Sequence, residues 1–251
     1  MSLVQETFEN QVFTITLNRP DKKNSMSLEL LQGLYAALGR AEDKGAAVVI
    51  IRGAGATFCA GGDVIEFRDS PEPDVQIDVM ADVLHKSIVK IRRMKAIVLA
   101  VVEGLAFGAG LSLSLACDLT VAEKGAVMNM AYRRIGLTPD GGGSIFLPIL
   151  VGMKRFNEFY LLCPNIDAQK AHEIGMVNFL FGQEELEEKL KELVDQLLAL
   201  PVETVGSVKG LVNATLFPML ETQLDRERRG VSECAKREGF QERLSVLFKK
   251  R

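Results

Sequence analysis

Short apolar runs separated by polar turns predict strands in the first half of the chain. Residues 12–17 alternate apolar residues with threonine, which is typical of a strand with one buried face. Residues 47–51 form a largely β-branched run that stops at Gly53, and residues 97–102 form a continuous apolar run. Residues 119–122 are again strand-like, so four strands are predicted.

Helical periodicity fills the intervals between these runs. Apolar residues recur at helical spacing over residues 28–38, with Ser27 placed to cap the helix, and again over residues 77–91. Residues 104–110 are rich in glycine and lead into an apolar helix that continues to Cys117. This alternation of strands and helices predicts an α/β architecture.

The last quarter of the chain has a purely helical pattern. We therefore divide the chain into an α/β core of residues 1–183 and a helical region of residues 184–251. The helices of this region carry surplus apolar faces, so we expect them to pack on the main body or on a partner subunit. They are predicted over residues 186–198, 202–212, 219–235 and 241–248.

The composition is that of a globular chain that binds neither nucleic acid nor membrane. The 251 residues are 47% apolar and 25% charged, with a net charge of −3. Acidic and basic residues are interspersed, so no basic surface for nucleic acid or an anionic membrane is expected. The longest apolar run, residues 96–102, is too short to span a bilayer.

The cysteines and histidines favour neither disulfides nor a metal centre. Four cysteines occur without a CxxC pair, and the first six residues lack the pattern of a secretory signal, so we expect free thiols and a cytoplasmic protein. His85 and His172 have no second ligand at metal spacing, so surface or structural roles are expected for both. The basic end, residues 249–251, is expected to be a solvated tail.

Three glycine-rich segments depart from what simple packing requires. They are residues 58–64 (FCAGGDV), 104–110 (GLAFGAG) and 136–144 (GLTPDGGGS). Small residues at a strand-to-helix turn leave backbone N–H groups uncovered, and such groups attract an anion or a developing oxyanion. Two such turns facing one another would form a two-donor oxyanion hole. Alternatively, the glycines only permit tight turns and close packing.

The order and spacing of these segments resemble the crotonase (enoyl-CoA hydratase/isomerase) superfamily. Residues 58–63 resemble the family motif that closes over the CoA thioester, and residues 102–110 with Ala116-Cys117-Asp118 resemble the second motif. The resemblance spans nearly the whole chain and implies a crotonase-like superhelix of ββα units with a C-terminal all-helical appendage. The other matching segments are Asn18-Arg19-Pro20, residues 136–143 and residues 168–177.

The resemblance also implies a set of site residues. The backbone N–H groups of Ala60 and Ala109 would form the oxyanion hole, and Asp140 would be the catalytic carboxylate. Asp63 is expected to cap a helix rather than to act in catalysis. The candidate CoA- and substrate-binding residues are Lys22, Lys23, Ala60, Gly61, Gly62, Asp63, Val64, Gly108, Tyr132 and Leu137, although Lys22 and Lys23 fit a solvated pair equally well. The candidates for the acyl pocket, each also plausible as core, are Phe58, Phe67, Phe107, Tyr132, Ile135, Leu137 and Phe146.

The available carboxylates favour isomerisation over hydration. Hydratases of the family use two glutamates, and Ser112 and Tyr132 stand at the matching positions, where neither is a carboxylate base. A lone acid at the position of Asp140 resembles Δ3,Δ2-enoyl-CoA isomerases and the ring-forming isomerase of phenylacetyl-CoA degradation. The resemblance thus implies an enoyl-CoA isomerase in which Asp140 moves a proton from C2 to C4 through an enolate. A hydratase, a ring or epoxide acyl-CoA isomerase, and a catalytically silent acyl-CoA-binding or assembly subunit remain alternatives.

The same resemblance implies the partners of the chain. An acyl-CoA would be the substrate, so coenzyme A belongs to the substrate and no separate cofactor is expected. The C-terminal helices would assemble a homotrimer or a dimer of trimers. Arg133 and Arg134 lie beside the expected acyl pocket, where they either face solvent or meet a polar group of the substrate.

Overall fold

The computed structural model describes residues 2–249, so Lys250 and Arg251 of the basic end lie outside the described residues. The strands predicted from apolar runs are all present, and further short strands join them. The strands are β1 (Val4–Glu9), β2 (Val12–Leu17), β3 (Val48–Gly53), β4 (Ile97–Val102), β5 (Leu105–Phe107), β6 (Leu119–Glu123), β7 (Val127–Asn129), β8 (Ile166–Asp167) and β9 (Phe179–Phe181).

The predicted helices are also present. Ser27 caps the first of them, because its hydroxyl accepts a hydrogen bond from the Leu30 N–H at 3.2 Å. Short helices that the periodicity did not reveal lie mainly between residues 64 and 173. The helices are α1 (Leu28–Asp43), α2 (Val64–Asp69), α3 (Pro73–Arg93), α4 (Ala109–Ala116), α5 (Gly143–Val151), α6 (Met153–Leu162), α7 (Ala168–Glu173), α8 (Leu186–Leu198), α9 (Val202–Leu216), α10 (Leu220–Ala235) and α11 (Glu238–Lys249).

One large sheet organises the fold. Its strand order is β1-β2-β3-β4-β6-β9, in which β1 and β2 are antiparallel and the following neighbours are parallel. Every residue of β4 is buried, as expected for a central parallel strand that is covered on both faces. A second, smaller sheet has the strand order β5-β7-β8. Along the chain, β5 follows directly after β4 and β7 follows directly after β6. The predicted α/β architecture is thus confirmed.

The C-terminal helices pack on the main body. On one face of the sheet, an apolar cluster joins Val48, Leu99 and Val121 to Leu190 and Leu193 of α8. On the other face, α10 and α11 bury apolar residues in the larger core that also contains α1, α3 and α4. The contributed residues are Leu224, Val231, Ala235, Phe240 and Leu244.

A buried ionic cluster, the Asp118 cluster, ties α9 to the main body. Asp118 accepts hydrogen bonds from Arg92 at 3.2 Å, from Lys209 at 2.7 Å and from the Val98 N–H at 2.8 Å. Lys209 also donates to the carbonyl oxygens of Ile91 and Ala96. Burial lowers the pKa of Lys209, and the charge of Asp118 opposes that shift. Each charged group of the cluster therefore has an opposite charge or a backbone dipole beside it.

No helix within residues 2–249 combines the length and apolar character needed to cross a membrane.

Candidate active site

The first two glycine-rich segments face one another. Cys59 and Ala106 form a parallel β-bridge, and the Phe107 N–H donates to the Cys59 carbonyl at 3.0 Å. The first turn of α4 lies against the same segment, because a Cβ atom on Gly110 would stand 2.4 Å from the Cys59 carbonyl oxygen. Only glycine permits this approach, so Gly110 brings the start of α4 to the Cys59 turn.

The start of α4 presents a backbone donor next to Gly61. Ala109 is the first residue of α4, its φ is negative, and its N–H makes no hydrogen bond to another residue within 2–249. Gly61 has φ +96°, and a Cβ atom on it would lie 2.8 Å from the Phe107 carbonyl oxygen and 3.6 Å from the Ala109 nitrogen. The positive end of the helix dipole adds to this donor.

The second predicted donor is already engaged. The Ala60 N–H donates to the Lys23 carbonyl at 3.0 Å, although Ala60 lines the same cavity as Ala109. An oxygen bound by both amides would have to share the Ala60 N–H with Lys23 or displace that carbonyl.

The third glycine-rich segment forms the loop that carries Asp140. Gly141 has φ +64°, and a Cβ atom there would stand 2.9 Å from Leu84 Cδ2 and 3.2 Å from Ser112 Cβ. Glycine therefore suits this position, because it adopts the positive φ and lets the loop press against α3 and α4. This packing buries Asp140, which keeps 6% of its surface exposed.

Ser112 and Tyr132 hold the backbone of this loop. The Tyr132 hydroxyl donates to the Asp140 carbonyl oxygen at 2.7 Å, and Ser112 Oγ lies 2.9 Å from the same hydroxyl. Burial raises the pKa of Tyr132 well above its ordinary value, and the nearby Asp140 charge raises it further. The two residues at the hydratase glutamate positions are thus neutral hydrogen-bonding groups that position Asp140.

His85 contacts the Asp140 side chain, so of the two expected roles the surface role is wrong and His85 is a buried, hydrogen-bonded histidine. Its Nε2 lies 2.6 Å from Asp140 Oδ1, and both side chains are buried. Burial lowers the pKa of His85, but the charge of Asp140 and the hydrogen bond to it more than offset that effect, so the pKa is raised. Sequence spacing missed this contact because the two residues are 55 positions apart.

Glu227 is a second buried acid beside Asp140, so Asp140 is not the only acid of the site. Its carboxylate accepts from the Gly142 N–H at 2.7 Å and from the Ser144 N–H at 2.8 Å, and it also accepts from the Ser144 hydroxyl. Burial, and next the negative charge of Asp140, raise the pKa of Glu227 to about 7. Glu227 on α10 thereby fixes the start of α5 and the end of the Asp140 loop.

These three groups form a compact cluster, which we call the Asp140 cluster: His85, Asp140 and Glu227. One ligand-type atom of each lies within 4.8 Å of the others, a spacing that a metal ion could use. Both Glu227 oxygens, however, already accept backbone N–H groups, and His85 Nε2 is engaged with Asp140. The donor set is therefore that of a hydrogen-bonded network rather than of a metal centre.

A main cavity of about 410 Å³ brings the predicted site residues together. Phe67, Phe107 and Ile135 also line it, whereas Phe58 and Phe146 belong to the core. Glu227 and His85 lie behind its wall, so Asp140 is the member of the Asp140 cluster that faces the cavity. The predicted residues that line it are Lys22, Lys23, Ala60, Gly61, Gly62, Asp63, Val64, Gly108, Ala109, Tyr132, Leu137 and Asp140.

The charged residues of this cavity have distinct surroundings. Asp63 caps α2 by accepting from the Ile65 N–H at 2.9 Å, as expected, and it also pairs with Arg19 at 2.5 Å. Arg134 lies 5.5 Å from the Phe107 ring centre and donates to Asn165 at 3.1 Å. Arg133 and Arg134 are both exposed, and Arg134 also lines the cavity.

Comparison with known proteins places this geometry among acyl-CoA enzymes. The enoyl-CoA hydratase/isomerase family model matches residues 7–251. The chain is 31% identical to the 1,2-epoxyphenylacetyl-CoA isomerase of Escherichia coli (strain K12), over 100% of this chain and 97% of that protein. It is 33% identical to 4-chlorobenzoyl coenzyme A dehalogenase-2 of an Arthrobacter species, over 95% of this chain and 88% of that protein.

A solved structure agrees with this comparison. The crystal structure of an enoyl-CoA hydratase from Mycobacterium avium subsp. paratuberculosis K-10 superposes with a TM-score of 0.89 at 30% identity. The match covers 98% of each chain.

Proposed function

The chain belongs to the enoyl-CoA hydratase/isomerase family, and from that membership we propose that it is an enoyl-CoA isomerase that moves a double bond through an enolate. The observation that carries the proposal is the position of Asp140. Its carboxyl lines the cavity that Ala60 and Ala109 also line, while Ser112 and Tyr132 offer no second carboxylate. One carboxylate is enough for isomerisation, because the same group can take and return a proton.

The reaction begins with the acyl thioester in the main cavity. The backbone N–H groups of Ala109 and Ala60 bind the thioester oxygen, and Ala60 gives up its bond to Lys23 in doing so. Asp140 takes the C2 proton of a β,γ-unsaturated acyl-CoA, and the electron pair of that bond enters the enolate. Each donor of such a hole contributes about 2.7–4 kcal/mol to the stability of the developing oxyanion. Asp140 then returns the proton at C4.

Substitution of Asp140 tests this proposal. Asp140→Asn keeps the size of the side chain but removes the base, so turnover of trans-3-enoyl-CoA should fall by at least about 10²-fold to 10⁴-fold. Binding of the acyl-CoA should remain nearly intact, as measured by calorimetry. Asp195→Asn, on the exposed face of α8, is the matched control. Unchanged turnover in Asp140→Asn would reject the assignment.

Product analysis separates isomerisation from hydration and from ring or epoxide chemistry. The unmodified protein should convert trans-3-enoyl-CoA to trans-2-enoyl-CoA and should add water to trans-2-enoyl-CoA only slowly. A hydratase would show the opposite preference. A protein without turnover on either substrate, or on an epoxide of an aromatic acyl-CoA, would instead fit a silent acyl-CoA-binding subunit.

The contact between His85 and Asp140 favours a second candidate function, the hydrolytic removal of halide from an aromatic acyl-CoA. A carboxylate can act as a nucleophile, and a neighbouring imidazole can take a proton from water. Asp140 would displace halide from the ring and form an ester. A water on the His85 side of the cavity wall, activated by His85, would attack the Asp140 carbonyl carbon, which releases the hydroxylated ring and restores the carboxylate. Release of chloride from 4-chlorobenzoyl-CoA by the unmodified protein, lost in both Asp140→Asn and His85→Gln, would support this activity.

We further propose that the chain assembles as a homotrimer or a dimer of trimers. Exposed apolar side chains on α9 and α6 support this assembly, since a soluble monomer rarely leaves large apolar patches uncovered. Leu211 on α9 is 71% exposed and Leu162 on α6 is 73% exposed. Leu211→Glu should reduce the mass measured by light scattering toward that of one 27.5 kDa chain. Lys191→Glu on α8 should leave the mass unchanged, and an unmodified protein of monomer mass would contradict the proposal.

A further inference from the structure

A second pocket lies on the far side of α3 from the main cavity, and we call it the side pocket. It has a volume of about 480 Å³ and is formed by α1, α3 and α10. His85 lines the side pocket but not the main cavity, and Asp140 lines the main cavity but not the side pocket. The hydrogen bond between these two side chains therefore crosses the wall between the two spaces.

The two ends of this pair face different spaces. Asp140 Oδ1 contacts His85 Nε2, while Asp140 Oδ2 accepts no hydrogen bond from any residue within 2–249. At the other end, His85 Nδ1 has no hydrogen-bond partner among the same residues and is not a fully enclosed atom. One end of the pair is therefore available to a substrate and the other to water.

We propose that His85 is a positioning residue that exchanges a proton between Asp140 and the water of the side pocket while an acyl-CoA occupies the main cavity. The proposal rests on the acyl-CoA chemistry assigned above to Asp140. A substrate that fills the main cavity cuts Asp140 off from water on that side. If Asp140 carries a proton at that moment, it cannot take the C2 proton. His85 can accept the proton of Asp140 and so restore its carboxylate.

The exchange is balanced. The proton on Asp140 Oδ1 moves to His85 Nε2, and the Nδ1 proton of the resulting imidazolium passes to water in the side pocket. The carboxylate of Asp140 then accepts the hydrogen bond from Nε2–H. One proton leaves Asp140 and one enters water, and no other bond changes. The distance of 2.6 Å between Oδ1 and Nε2 suits this transfer in either direction.

The charges around His85 come from several elements and are largely paired. The raised pKa of His85 favours its uptake of a proton, while Lys86 and Arg228, the neighbouring cations, are held by Asp82 and Asp78. The titratable and charged groups that face His85 or line the side pocket are Tyr35 and Glu42 of α1, Asp82, Lys86, Lys90 and Arg93 of α3, Asp140, and Glu221, Asp225, Glu227 and Arg228 of α10.

Nuclear magnetic resonance of the histidine rings tests the proposal directly. His85 and His172 are the only histidines of the chain, so His172→Gln leaves one ring signal to follow. With saturating butyryl-CoA as an unreactive probe, the His85 signal should still titrate with pH, because protons reach it through the side pocket. A signal that stops responding to pH when butyryl-CoA is bound would overturn the proposal.

Two substitutions give an independent kinetic test. His85→Gln keeps a hydrogen-bond donor for Asp140 but cannot pass a proton on, so kcat should fall about tenfold or more while KM stays within about twofold. The acid limb of the kcat profile should also change, since His85, whose pKa is raised, no longer contributes its titration to that limb. His172→Gln should retain both the kcat and the profile of the unmodified protein. An unchanged kcat profile in His85→Gln would also overturn the proposal.

Failure of this inference can be told apart from failure of the proposed function. If the unmodified protein neither binds butyryl-CoA nor turns over an enoyl-CoA, the proposed function is wrong. If it binds and turns over, but His85 neither titrates in the complex nor affects the profile, only the role of His85 is wrong.

Discussion

Two buried clusters of ionisable groups in this protein differ in how completely their charges are compensated. In the Asp118 cluster, one carboxylate is paired with two cations, Arg92 and Lys209, and every partner is also held by backbone or amide groups. In the Asp140 cluster, two acids lie beside one histidine, which is hydrogen-bonded to Asp140 but not to Glu227. Burial, and next the charge of Asp140, raise the pKa of Glu227 to about 7, so the second cluster can change its charge near neutral pH.

The difference between the two clusters distinguishes buried charges that stabilise the fold from buried charges that take part in proton transfer. The Asp118 cluster joins β4, α3 and α9 with charges that do not need to change. The Asp140 cluster instead combines a carboxyl that faces a cavity with a glutamate whose pKa is about 7 and a histidine whose pKa is raised. A group that must gain and lose protons during a reaction needs this second kind of surrounding.

The largest effect is expected from breaking the Asp118 cluster. Asp118→Asn leaves the charges of Lys209 and Arg92 buried without a counter-charge, which should lower the free energy of unfolding by about 3–5 kcal/mol. Chemical denaturation measures this loss, and turnover per folded molecule should remain near that of the unmodified protein. A loss of turnover in Asp118→Asn without a loss of stability would contradict the purely structural role of the Asp118 cluster.

A smaller effect is expected from the pH dependence of the Asp140 cluster. The pKa of Glu227 is raised from 4.5 to about 7 on folding, so the folded chain holds a proton that the unfolded chain releases between these values. Stability from this group is therefore fully present below pH 4.5 and is lost as pH rises through about 7, by about 3 kcal/mol in all.

Glu227→Gln removes this titration. The difference in unfolding free energy between the unmodified protein and Glu227→Gln should therefore fall as pH rises from 4.5 to 8, as measured by urea denaturation. The shift of His85 acts in the same direction, because its raised pKa also favours the folded state at lower pH. A difference that stays constant over this range would show that Glu227 is charged throughout.

The smallest effect is expected from loosening the Asp140 loop. Tyr132→Phe removes the hydroxyl that donates to the Asp140 carbonyl, so the carboxyl should shift and kcat should fall by about 10- to 100-fold. Ser112→Ala keeps that hydrogen bond and should lower kcat less. Steady-state kinetics on trans-3-enoyl-CoA compares the two. An unchanged kcat in Tyr132→Phe would mean that the hydroxyl of Tyr132 does not position the loop.

The sequence predicted the frame of the fold and the cavity-facing part of the site. The spacing of apolar residues located β2, β4 and the C-terminal helices. An element that is buried in a sheet or against a core carries apolar residues at a regular spacing, which can be seen in the local sequence. The glycine-rich segments located the turns that line the cavity, because the close approaches at Gly61 and Gly141 exclude a side chain.

The groups behind the cavity wall were not predicted, because their contacts join distant parts of the chain. Glu227 lies on a highly charged helix and resembles a solvated acid. Its spacing from Leu224 and Val231 nevertheless places it on the apolar face of α10, which was a usable signal. His85 stands in the same relation to Ala81 and Ile88 on α3. A polar residue inside an apolar helical stripe is therefore a candidate for a buried site.

The Glu227 carboxylate that fixes the Asp140 loop comes from a helix 83 residues further along the chain than Ser144. Closing so long a connection costs entropy before any contact compensates for it, so such contacts form late during folding. The strands can pair before α10 docks, but the start of α5 has its two carboxylate bonds only afterwards. We therefore expect a refolding chain to regain its sheet first and its competence for proton transfer last.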